Sequence, residues 1–208
     1  MMKRLFVLPL TLLLTATLFI AQAAAAASGE GGRELPVLRI GTVVDGQWAR
    51  ETGTVEKFRE EISSILEGIH DVRFPESAAL DGGWTREGVE RALESLMADP
   101  EVDIVLALGR YASYLAASGG DPPKPVVAPF VISAEAQKLP WREGTSGVRN
   151  LNYIEAFDTF ARDLNTFREI VHFDNLAVVG EGFLVGTVPV LKDYVETVGR
   201  EYADRISI

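Results

Sequence analysis

Three short segments dominate the chain: LRIGTVV (38–44), VDIVLAL (102–108) and PVVAPFV (125–131) are apolar almost throughout rather than at every second position. A strand with one wet face alternates, so runs like these belong to a sheet buried on both sides. Helical patterns lie between and after them. Val55, Phe58, Ile62, Ile65 and Leu66 recur at spacings of three and four, and so do Val89, Leu93 and Leu96 behind a capping Thr85. Phe160, Leu164, Phe167, Ile170 and Val171 repeat the pattern. DVRF (71–74), VRNLNY (148–153), LAVV (176–179) and RISI (205–208) read as shorter strands, and 111–117 and 188–198 as further helices. Strand–helix alternation of this kind predicts an α/β fold, a doubly wound parallel sheet with helices on both faces. Ligands of such sheets bind beyond the carboxyl ends of the strands, at the point where the strand order reverses.

Residues 1–27 have a different character. Lys3 and Arg4 precede an uncharged apolar run from Leu5 to Ile20, and Ala21-Gln22-Ala23 follows with small residues. This is the three-part pattern of a cleaved secretory signal, with the cut expected between 23 and 28. A polar, Gly-rich spacer (28–35) leads into the first strand. Removal of Lys3 and Arg4 leaves 18 basic against 30 acidic residues, a charge of −12. With no cysteine the product can carry neither a disulfide nor a thioether lipid anchor, so a soluble periplasmic protein is expected.

Several chemistries are disfavoured by the same residues. The chain has two histidines, His70 and His172, too few for a His-rich metal site. Its net charge of −10 opposes a nucleic-acid backbone. It contains no G-x-S-x-G elbow, H-E-x-x-H or P-loop. The turn from Gly180 to Gly186 has the spacing G-x-G-x-x-x-G, which departs from the dinucleotide fingerprint. Neither an enzyme nor a bound cofactor is expected.

The segments LRIGTVVDGQW (38–48), ADPEVDIVLALGRYAS (98–113), KPVVAPFVISAE (124–135), GTSGVRNLNYI (144–154) and FARDLNTFREIVHFDNLAVVGE (160–181) resemble, in order and spacing, type I periplasmic binding proteins. The last three of these resemble the uncharacterised ABC-transport substrate-binding group, which also contains aromatic amino-acid binders. The resemblance implies lobe I over 36–154, a crossover helix with an incomplete lobe II over 155–208, and a small ligand clamped between lobes. It also implies a membrane permease or efflux component as partner. An accessory or sensor module, signalling to a membrane partner without delivering solute, is the alternative.

Candidate binding residues follow the strands. Asp45 can accept from an ammonium and Trp48 can stack on a flat or apolar solute; a turn-former and a core-edge cover are their plainer roles. Phe74 ends the second strand and either lines the same crevice or simply closes the strand. Gly109 and Arg110 open a helix whose free amides, with the guanidinium, suit a carboxylate; a surface Arg beside a tight turn is the alternative. In the resembling fold Phe130 and Tyr153 would be aromatic walls, with core packing as the alternative, while Gly180 and Glu181 would form the lobe II wall. An amino acid or aromatic compound is the solute class this implies.

Overall fold

β1 (Val37–Val44) is the inner strand around which the larger sheet is organised. On one edge it pairs with β4 (Ile104–Leu108) from Ile40↔Ile104 to Val44↔Leu108. Its other edge is shared. β2 (Asp71–Arg73) pairs with Val37–Arg39, and β3 (Ala79–Asp81) pairs with Thr42–Val44. A 3₁₀ turn at Glu76–Ala78, entered through Pro75, separates the two. β5 (Val126–Val131) and β6 (Leu151–Glu155) complete the order β2-β1-β4-β5-β6, with every pairing parallel. The computed structural model describes residues 34–155, 159–180 and 188–208, with Gly182 and Gly186. The proposed export signal, most of the spacer and Glu181 lie outside the described residues.

Helices cover the sheet from both sides, as the doubly apolar strands require. α1 (Trp48–Glu51) and α2 (Thr54–Ile65) pack over Ile40, Val44, Leu106 and Leu108. α3 (Arg86–Ala98) and α4 (Arg110–Ser118) pack over Val43, Val105, Ala107 and Val126. Neighbours along β4 thus alternate between two cores, and Val105, Ala107 and Leu108 are all completely buried. The fold is α/β, with a parallel sheet wound on both faces.

Helix ends are satisfied by specific partners. The Thr85 hydroxyl accepts the Gly88 amide at 3.0 Å and starts α3. At the other end the Lys124 ammonium donates to the carbonyls of Asp99 and Val102 at 2.5 and 2.7 Å, charge placed where the helix dipole is negative. Thr85→Ala should cost about 1 kcal/mol, seen as a fall of about 2–4 °C in the melting temperature; an unchanged melt would show that the cap contributes nothing.

The remaining elements form a smaller parallel pair. β7 (Asn175–Ala177) and β8 (Arg205–Ser207) align Leu176 with Ile206, accompanied by α5 (Phe160–Ile170) and α6 (Pro189–Gly199). Val188 and Leu191, at the start of α6, are buried against Tyr111 and Ala136. Among the described residues no helix is long and apolar enough to cross a membrane.

Segment boundaries and one strand differ from expectation. β6 begins at Leu151, not at 148, because the Ser146 hydroxyl holds the intervening turn, accepting from the Val148 amide and donating to the Leu151 carbonyl at 3.1 and 2.6 Å. Asn150 then takes a left-handed φ of 61°, which ends any extended run before it. β3 was not anticipated: three residues are too few for a periodic signal.

Candidate functional site

β1 and β4 end side by side, so the turns after Val44 and Leu108 leave the sheet together. This is the reversal point of the strand order, since β1 leads outward to β2 while β4 leads to β5 on the other side. Asp45 occupies the first turn and is only 2% exposed. Its carboxylate crosses to the neighbouring turn, where its oxygens accept the backbone amides of Tyr111 at 3.2 Å and Ala112 at 2.8 Å. Asp45 is therefore the cap of α4, supplied from a strand 66 residues away in sequence. Gly109 makes room for it. A Cβ at Gly109 would fall inside the Asp45 carboxyl group.

Burial raises the Asp45 pKa from 3.8 to about 6, because a charge is costly out of water. The amides of Ala112, Tyr111 and Arg110, and the charge of Arg110, pull in the opposite direction without cancelling the burial. The amides at the start of α4, expected to be free for a ligand carboxylate, are thus already engaged at Tyr111 and Ala112.

Two aromatic pairs line the same cavity as Asp45. Trp48 opens α1 and meets Phe130 of β5 edge to face, with ring centroids 6.4 Å apart and planes at 76°. Phe58 of α2 supports Phe130 from behind at 5.8 Å. In the second pair Trp84 meets Tyr111 at 6.3 Å and 81°. The Trp84 amide donates to the Asp45 carbonyl at 2.8 Å, and its indole lies so close to Gly46 that a side chain there would collide with it. Trp84 adopts φ 58°, an unfavourable backbone for a bulky residue and one that clusters at functional sites. Ser113 links the layers: its hydroxyl donates to the Ala107 carbonyl at 2.9 Å and accepts the Phe130 amide at 3.0 Å.

Between the two pairs lies a cavity of about 460 Å³, lined by Asp45, Trp48, Trp84, Arg110, Tyr111 and Phe130. Its size is that of a small-molecule site. Arg110 is exposed at its edge.

Four of the anticipated residues, Asp45, Trp48, Arg110 and Phe130, converge here, with Gly109 beneath the carboxylate. The others are placed elsewhere. Phe74 packs against the α1–α2 core, its ring 5.5 Å below the Arg59 guanidinium. Tyr153 packs against the α3–α4 core and donates its hydroxyl to the Pro140 carbonyl at 2.7 Å; burial and the nearby Glu155 raise its pKa. Gly180 is exposed after β7. Trp84 and Tyr111 were not anticipated. No group of His, Asp and Glu among the described residues is arranged to hold a metal ion. No family model, curated protein or solved structure matches the chain.

Proposed function

We propose that this protein is a non-catalytic, periplasmic solute-binding component of an ABC-type transport or efflux system, taking a small organic ligand at the reversal point of its sheet. The observation that carries the reading is the cavity of about 460 Å³ walled by Trp48, Phe130, Trp84 and Tyr111. Aromatic walls with one or two charged groups are the composition of a site that binds and orients a small molecule. The engagement of the Asp45 oxygens in holding α4 supports a structural and electrostatic role for this carboxylate. Export rests on the sequence pattern of residues 1–27, and coupling to a membrane component rests on the family resemblance.

A thermal-shift screen against amino acids, organic cations and aromatic solutes tests the reading. At a hundred times its dissociation constant a ligand adds about 2.7 kcal/mol of stability, a rise of about 5–10 °C for a chain of this size. Trp48→Ala should abolish the shift while leaving a cooperative melt, because Trp48 is only partly buried. A screen with no shift, or a shift indifferent to Trp48→Ala, would overturn it.

A further inference from the structure

The lining of the cavity narrows its ligand class, an inference that rests on the solute-binding reading above. Four of the six lining residues are aromatic, and a fifth is Asp45, which is 2% exposed. Aromatic rings and a nearby carboxylate both attract a cation. The carboxylate offers charge more than hydrogen-bonding capacity, because its two oxygens already accept amides from Tyr111 and Ala112. A primary ammonium would bring three N–H donors to a carboxylate whose oxygens are already engaged, and would lose its hydration without full replacement. A cation with alkyl groups in place of N–H makes no such demand. Arg110 is exposed at the cavity and acts on Asp45 through space; its forked donors suit a second, anionic group of the ligand.

We propose that the cavity takes a quaternary-ammonium zwitterion, its alkylated cation held among Trp48, Phe130, Trp84 and Tyr111 above Asp45, and its carboxylate held by Arg110.

The test compares ligands of equal shape by calorimetry on the intact protein. Trimethylglycine is set against 3,3-dimethylbutanoate, which replaces the charged nitrogen with carbon, and choline against 3,3-dimethylbutan-1-ol. Each quaternary compound should bind at least about tenfold more tightly than its carbon twin. Arg110→Gln should weaken trimethylglycine about tenfold and leave choline unweakened. Trp48→Ala should weaken both, and Trp48→Phe should restore most of the loss. Equal affinities within each pair would overturn the proposal. Binding of indole or another neutral solute without either quaternary compound would overturn it too, while leaving the solute-binding reading intact. Failure of these probes and of every solute in the thermal-shift screen would overturn both.

Discussion

An alanine at Gly109 should destabilise the protein by about 3 kcal/mol, combining overpacking with the loss of two buried hydrogen bonds. The backbone at Gly109 is extended, with φ 163°, a conformation open to any residue, so conformational freedom does not explain the glycine. The constraint is space: the new methyl would occupy the volume of the Asp45 carboxyl. Asp45 would have to turn away, and the amides of Tyr111 and Ala112 would lose their acceptor inside the protein. The loss should appear as a lower urea midpoint with the cooperative slope unchanged. Two substitutions at one contact should not add, so introducing Asp45→Ala into the Gly109→Ala protein should cost much less than Asp45→Ala does alone. A Gly109→Ala change within about 0.5 kcal/mol of wild type, as for an ordinary surface site, would refute the tight fit.

The second large effect is in acid. The Asp45 pKa is about 6 in the folded protein against an ordinary 3.8, so the native state holds this proton more tightly than the unfolded chain does. Its contribution to stability is therefore greatest below the ordinary value and is lost as pH rises from about 4 to about 6. The difference is worth at most about 3 kcal/mol. Other carboxylates titrate too, and they are common to wild type and Asp45→Asn. The stability of wild type relative to Asp45→Asn should accordingly increase as pH falls from 7 to 4, measured as paired urea midpoints. A difference that stays flat across that range would show that the buried carboxylate is no more costly to ionise than one in water.

Much of the fold was legible because a parallel sheet covered on both faces writes apolar runs into the chain, as in VDIVLAL. The convergence of Asp45, Trp48, Arg110 and Phe130 was legible for a topological reason: parallel strands deliver their following turns to the same edge. Phe74 shows where that logic stops. β2 pairs only with Val37–Arg39, so it ends five residues short of the carboxyl end of β1, and Phe74 lies well below the rim. β3 takes the upper part of that edge, and the loop after β3 carries Trp84 to the cavity. A three-residue strand has no period, and a left-handed tryptophan has no sequence signature, so neither was readable. The sequence at Tyr153 marks a strand but not which core its ring enters. Tyr111 was legible as helix, but a helical position does not tell which cavity its ring lines.

The interrupted pairing of β2 and β3 has a further consequence for how the protein behaves among copies of itself. An uninterrupted outer strand presents a continuous row of unpaired amides and carbonyls, a template on which a second chain can add. Here that border of the larger sheet consists of two three-residue pieces, divided by Pro75 and a turn of 3₁₀ helix. Neither piece is long enough to register an incoming strand, so this border resists edge-to-edge aggregation without needing a covering helix.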